Sequence, residues 1–265
     1  MLIFSYPSCI LKKDKKGINM KNVGVFSKEY FLYKELEEAL NDTDVILNLV
    51  SSESNIDINF DIFVILSDFG DGLVDYLKKF EGLVLDLTGI ARNYSNNVED
   101  ILEPAVYIIE KYFGHSVENL KGNIYFPVSI YGKAGIDDLI NQTKDIFTFG
   151  NSQPKILKDK MPFNCVLGLG AGESGIKNYI QRFSHEVATN FDLRLLPFST
   201  YMIVDIFKPF NVEIYGDFLD ETFSVSEVLL NDSHKLFLID DERVTIVADY
   251  LRLLIEQVKE KINIL

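Results

Sequence analysis

The segment Asp61-Ile62-Phe63-Val64-Ile65-Leu66-Ser67 limits the possible folds of this chain more than any other. It is a continuous apolar run, closed by the turn residues Asp68-Phe69-Gly70-Asp71-Gly72. A strand with one face in water alternates polar with apolar. A strand with no polar break is buried on both faces, as in a parallel sheet covered by helices on each side. Leu83-Val84-Leu85-Asp86-Leu87 repeats the pattern, and residues 22–27 and 45–50 add two more strands. Helical stretches over 30–40 and 73–80 fall between them, and 105–109, after Pro104, reads as a further strand. Alternation of this kind predicts a doubly wound α/β domain with a mostly parallel sheet.

The second half has a different rhythm. A strand over 123–130 is followed by helices over 136–149 and 176–188. Strands are then expected over 193–196, 201–207, 212–215, 236–239 and 245–248. A closing helix over 249–264 places Leu251, Leu254, Ile255, Val258 and Ile262 on one face. Strands grouped after helices predict an α+β unit with an antiparallel or mixed sheet.

Composition excludes several function classes. The chain has 265 residues and a formal net charge of −14, which argues against a broad nucleic-acid surface. Its basic cluster, Lys12, Lys13, Lys15 and Lys16, reads as a solvated turn around Asp14 and Gly17. The two cysteines, Cys9 and Cys165, are far apart, so no disulfide framework is expected. Three scattered histidines, His115, His185 and His234, give no structural zinc site, and no metal is expected. No stretch is long and apolar enough to cross a bilayer, and residues 1–11 lack the leading basic segment of a signal peptide. The expectation is a reduced cytoplasmic protein without membrane or nucleic-acid partners.

The turn after the first strand carries the sharpest functional signal. A dinucleotide site needs small residues there, so that backbone N–H groups can approach a pyrophosphate. This chain has Ser27, Lys28, Glu29 and Tyr30. A glycine-rich match does occur later, at Gly170-Ala171-Gly172-Glu173-Ser174-Gly175, which fits G-x-G-x-x-G ahead of a helix. Its functional reading is a phosphate cradle built on Gly170, Gly172 and Gly175. Its structural reading is a loop leading to a helix start capped by Ser174. The acid expected at the end of the next strand is missing, because Asp192 precedes that strand.

Several segments, taken together, resemble the semialdehyde dehydrogenase family, typified by the aspartate-semialdehyde dehydrogenases and the Usg-type proteins. Tyr131-Gly132-Lys133-Ala134-Gly135-Ile136-Asp137-Asp138-Leu139-Ile140-Asn141-Gln142-Thr143 is similar to that family's G-K-x-G-x-x-x-L-x-x-Q-T segment. Met161-Pro162-Phe163-Asn164 resembles its I-A-F-N step, and Val247-Ala248-Asp249-Tyr250-Leu251-Arg252 resembles V-A-D-N-L-R. Asp205-Ile206-Phe207-Lys208-Pro209-Phe210 stands where the family has P-V-F-R-G-H, and Asp86-Leu87-Thr88-Gly89 where it has I-D-x-S. The resemblance implies a Rossmann-like nucleotide-binding domain of residues 1–122 completed by 245–265. It also implies an α+β dimerisation domain of residues 123–244, and hence a homodimer.

The family reaction uses a cysteine nucleophile, a proton-shuttling histidine and NADP. The resemblance puts the nucleophile at an N-x-C-x-T helix start between Ile109 and Asn123, an interval with no cysteine. The histidine position falls on Phe210, and the asparagine of V-A-D-N is Tyr250. The expectation is therefore a catalytically degenerate protein with no cofactor, acting as a scaffold or a binder of a small anionic ligand. Glu173, Lys177, Lys208 and Arg252 are its candidate ligand-binding remnants. The alternative is an NAD(P)-dependent semialdehyde dehydrogenase, or another nucleotide-binding enzyme, working through the 170–175 loop. Of the other reactive side chains, Cys165 reads as a small buried thiol, His115-Ser116 as a polar turn, and His185 as a solvent-facing residue in mid-helix.

Overall fold

In the computed structural model, the described residues are 20–53, 56, 59–150, 153–157, 160–167, 174–207, 217–218, 229, 232–240 and 242–264. The first sheet is built from β1 (Lys21–Phe26), β2 (Val45–Val50), β3 (Ile62–Ile65), β4 (Leu83–Asp86) and β5 (Val98–Asp100). Its order is β2-β1-β3-β4-β5 and every pairing is parallel. Helices α1 (Tyr30–Ala39) and α2 (Asp71–Leu77) cross between its strands. All four residues of β3 and all four of β4 are buried, as a sheet covered on both faces requires. On one face Val23, Val64 and Leu85 pack with Tyr33, Leu36 and Leu40; on the other, Phe26, Phe63, Ile65 and Val84 pack with Leu73 and Leu77.

Residues 105–109 are helical rather than extended. They belong to α3 (Pro104–Phe113), and the fifth strand is Val98–Asp100 instead. Pro104 takes the first helical position, where its missing N–H costs nothing. The Glu103 side chain caps the helix by accepting from Ala105 N and Val106 N. Buried Ala105, Val106, Ile108, Ile109 and Phe113 then share one helical face. A short apolar run has no period of its own to separate strand from helix, and here the cap decides.

The second sheet holds seven strands in the order β10-β11-β12-β9-β6-β8-β7. These are β6 (Lys121–Phe126), β7 (Val166–Leu167), β8 (Phe191–Leu195), β9 (Tyr201–Phe207), β10 (Asp217–Phe218), β11 (His234–Asp240) and β12 (Arg243–Asp249). Parallel and antiparallel pairings mix, with β6 parallel to β8 and antiparallel to β9. The helices of this half are α4 (Gly132–Phe147), α5 (Ser174–Gln181) and α6 (His185–Asn190). The helix expected over 176–188 breaks between α5 and α6, where Ser184 restarts it by accepting Val187 N on its hydroxyl. The strand expected over 212–215 lies outside the described residues.

The chain closes with α7 (Tyr250–Ile264), which serves both halves. Tyr250, Leu251 and Leu253 pack in the core of the second sheet, while Leu254, Ile255, Val258 and Ile262 pack in the core of the first. Lys21 Nζ donates to Ile262 O at 2.7 Å, and Gln257 pairs with both Leu102 N and Leu102 O. The strand β12, which the sequence groups with the first domain, hydrogen-bonds between β11 and β9 of the second sheet. The architecture is a Rossmann-like α/β unit completed by the C-terminal helix, beside an α+β unit with a mixed sheet.

Gly122 lets β6 sit centrally in that sheet. A Cβ there would lie 2.0 Å from the carbonyl oxygen of Asp205, which is backbone and cannot yield. Gly122→Ala is expected to cost about 3 kcal/mol through overpacking, read as a lower denaturation midpoint with an unchanged slope. A midpoint equal to that of the parent chain would contradict this placement of β6.

Candidate functional site

In a parallel sheet of order β2-β1-β3-β4-β5 the order of strand addition reverses between β1 and β3, and open α/β sheets hold ligands at the carboxyl ends of strands there. The N–H groups at that point are already engaged. Lys28 N donates to Ser67 Oγ at 3.0 Å, and Glu29 N donates to Ser27 Oγ at 3.2 Å. Ser27 Oγ in turn donates to Glu29 O at 2.8 Å. Glu29 is the N-cap residue of α1, but its side chain makes no cap bond to that helix. Its carboxylate reaches instead to the start of α4, where Lys133 N donates to Oε2 at 3.1 Å. Gly132 admits it. The residue has φ +67°, and a Cβ there would lie 2.0 Å from Glu29 Oε1. An acid at the N-terminus of a 16-residue helix is favoured by the helix dipole as well as by the hydrogen bond.

The rest of this edge follows the same pattern. Glu53, beyond β2, accepts from Gly70 N at 2.9 Å, just ahead of α2, and pairs with Lys28 Nζ at 3.4 Å. Asp86 is fully buried at the end of β4 and accepts from Thr88 N, Thr88 Oγ1, Ile90 N and Ala91 N at 2.7–2.8 Å. Side chains thus take up these donors: serine hydroxyls those after β1, Glu53 that of Gly70 after β3, and Asp86 those after β4.

The second half of the chain closes over the β4 end of this edge. Tyr179 on α5 donates from its hydroxyl to Leu87 O at 3.3 Å. Arg182 Nη1 donates to Thr88 O at 3.0 Å and to Asp68 Oδ1 at 3.2 Å. Glu103 lies behind, completely buried at the N-cap of α3. Burial pushes its carboxyl up to about 7, against the Val106 and Ala105 N–H groups and the Tyr250 phenol, which favour its ionised form. Desolvation first, and then the Glu103 charge, raise the Tyr179 and Tyr250 phenols well above the ordinary tyrosine range.

Of the sequence-predicted site residues, Gly175, Lys177 and Arg252 are among the described residues. Lys177 is exposed on α5. Arg252 serves the fold, with Nη1 donating to Leu229 O and Asp232 O, each at 2.9 Å. Gly175 falls inside α5 rather than in a loop. Gly170, Gly172, Glu173, Lys208 and Phe210 lie outside the described residues. Cys165 is half-buried rather than sealed in the core, and follows a turn in which its N donates to Asn164 Oδ1. His185 is exposed, as expected, but opens α6 and meets Gln181 through Nδ1. Tyr30 is 58% exposed and does not fill the crevice. Tyr250 is buried beside Phe126.

The α-helix before β6 starts at Pro104, and a 3-10 helix over Gly114–Asn119 lies inside the interval between Ile109 and Asn123. The start of α3 reads Leu102-Glu103-Pro104-Ala105 and contains no cysteine; a buried acid caps it. Glu-Pro ahead of an apolar helical face was the signal in the sequence that could have found this start. Among the described residues, no group of three or more His, Cys, Asp or Glu side chains could hold a metal ion, and no helix is long and apolar enough to cross a membrane.

No protein-family model and no curated protein sequence matches the chain. Solved structures do. A probable aspartate-semialdehyde dehydrogenase from Pseudomonas aeruginosa superposes with a TM-score of 0.64 at 14% identity, covering 91% of this chain and 98% of that one. Aspartate semialdehyde dehydrogenase II from Vibrio cholerae gives 0.66 at 12% identity, with the same two coverages. The Francisella tularensis aspartate semialdehyde dehydrogenase gives 0.59 at 10% identity, covering 92% of this chain and all of that one. At such identities the likeness is one of fold: the chain has the aspartate-semialdehyde dehydrogenase fold.

The Glu29–Gly132 contact makes a measurable coupling. Glu29→Ala removes a cap and is expected to cost about 1 kcal/mol. Gly132→Ala is expected to cost more, from backbone strain and from collision with the carboxylate. In the Glu29→Ala background the collision is gone, so a double-mutant cycle by denaturation should give coupling of at least about 0.5 kcal/mol. Strictly additive losses would contradict the contact.

Proposed function

We propose that this chain is a catalytically degenerate protein on the aspartate-semialdehyde dehydrogenase fold, a homodimeric scaffold or small-ligand binder rather than a dehydrogenase. The observation that carries this reading is the Glu29 carboxylate seated on Gly132 and Lys133 N, at the reversal point of the first sheet. The residues there do not fit the pyrophosphate of a pyridine dinucleotide. The N–H groups after β1 already donate to serine hydroxyls, the Glu29 carboxylate belongs to the same turn, and like charges about 4 Å apart repel by about 4 kcal/mol at an effective dielectric of 20. Glu53 and Asp86 bring the same conflict to the neighbouring strand ends. The helix start at Glu103, without a thiol, supports the same conclusion for the covalent step.

A homodimer is supported by the second sheet. Its strands alternate buried and half-buried residues, leaving Tyr125, Ile203 and Phe207 on the open face, with Phe207 half exposed. A second copy laid on that face would cover them. Among the described residues, Lys177 is the candidate cation not tied into the fold, and it is the group we assign to a small anionic ligand.

The test is calorimetric titration and thermal shift with NADP and NAD. A ligand present at about 1,000 times its dissociation constant adds about 4 kcal/mol of stability. The expected result is no saturable heat and no shift with either nucleotide, and no phosphate-dependent NADPH formation from a semialdehyde. Saturable binding of either nucleotide would overturn the reading.

A further inference from the structure

Glu29, Glu53 and Asp86 all find backbone donors, but Glu103 is only half satisfied. Its Oε2 accepts from Ala105 N at 2.8 Å and from Val106 N at 3.1 Å. Its Oε1 is buried and no donor meets it in hydrogen-bond geometry, although the Tyr250 phenol lies near enough to the carboxyl to favour its ionised form in part. A bare carboxylate oxygen sealed from water is costly, whereas a carboxylic acid carrying its proton there is far less so. The groups that face it come from every packed element. Tyr250, itself buried, stands at the start of α7, and Tyr179 stands on α5. Beyond Tyr179 lie Arg182 in the turn after α5, and Asp68 and Asp86 at the ends of β3 and β4.

We propose that Glu103 is a proton-operated latch: neutral, it lets α5 close over the carboxyl edge of the first sheet; ionised, it releases α5. The inference goes beyond the proposed function and holds whether or not a ligand binds there. An ionised Glu103 needs water, and water arrives only if a neighbouring element yields. Helix α3 is anchored by Val106, Ile108 and Ile109 in the core, and α7 by both cores. Helix α5 also buries Ile176 and Ile180 in the core of the second sheet, but it is the shortest of the three at eight residues. It reaches the first sheet through the Tyr179 bond to Leu87 O, backed by Arg182 in the following turn on Thr88 O and Asp68, and it is the element that yields. Its departure uncovers the Leu87 and Thr88 carbonyls at the ligand-binding edge of the sheet.

The direction with pH follows from the sign of the shift. Glu103 sits at about 7 in the folded chain, above the ordinary 4.5. Its contribution to closure is complete below the ordinary value and is lost as pH rises through about 7.

The experiment is hydrogen exchange by mass spectrometry on the peptide spanning α5, corrected for the intrinsic pH dependence of exchange. Between about pH 6 and about pH 8 the parent chain should lose about tenfold in protection there, while α3 holds. Glu103→Gln stays neutral throughout and should keep α5 protected at both ends of the range. The infrared band of a protonated carboxyl, present in the parent at the lower pH, should fade over the same interval. Unchanged α5 protection in the parent, an equal loss in Glu103→Gln, or no protonated-carboxyl band would each overturn the latch. If Glu103→Gln fails to fold, the two readouts on the parent chain still decide.

Discussion

One hydrogen-bonded carboxylate organises the contact between the two halves of this protein. Glu29 leaves the first turn of the parallel sheet and lands on the first turn of α4, where Lys133 N donates to it and Gly132 makes room. As a cap the bond is worth about 1 kcal/mol, no more than many others. Its larger effect is on what else can stand there. A turn that ends one strand and starts one helix is an anion site by construction, because N–H groups converge and the helix dipole points outward. Here the donor at the start of α4 is taken by a carboxylate of the chain itself, and the donors after β1 by serine hydroxyls.

The neighbouring strand ends repeat the arrangement with different partners. Glu53 occupies the approach to α2, and Asp86 gathers four donors in the turn after β4. Arg182 and Tyr179 then close the edge from the side of the second sheet, using backbone carbonyls as acceptors. The net charge of −14 is not spread at random. Part of it is spent on backbone donors that the same fold could otherwise offer to an anionic ligand. Glu103 differs, since only one of its oxygens finds donors and the other is sealed without one. That difference underlies the latch proposed for Glu103.

How much of this was legible in the sequence depended on distance along the chain. The buried strands at 62–65 and 83–86 were plain, because their apolar runs have no polar break. The amphipathic closing helix was plain for the same local reason. Residues 105–109 were misread as a strand because the cap that makes them helical, Glu103 before Pro104, lies outside the run. The single helix expected over 176–188 missed the restart at Ser184, a cap visible only as one serine before a histidine and a glutamate. Glu29 was recognised as an obstacle to a phosphate, but its partner Lys133 N is 104 residues away, and no local pattern announces such a pair. The bonds of Arg252 to the carbonyls of residues 229 and 232 were not legible, because the contact is set by the return of the chain to α7.

The central claim is that the chain's own carboxylates stand where a coenzyme phosphate would have to be. A crystal structure grown in excess NADP tests it most directly. The account predicts Glu29 bonded to Lys133 N, Glu53 bonded to Gly70 N, and no dinucleotide density at the ends of β1 and β3. A bound pyrophosphate at that point, with the Glu29 side chain swung away from Gly132, would contradict it.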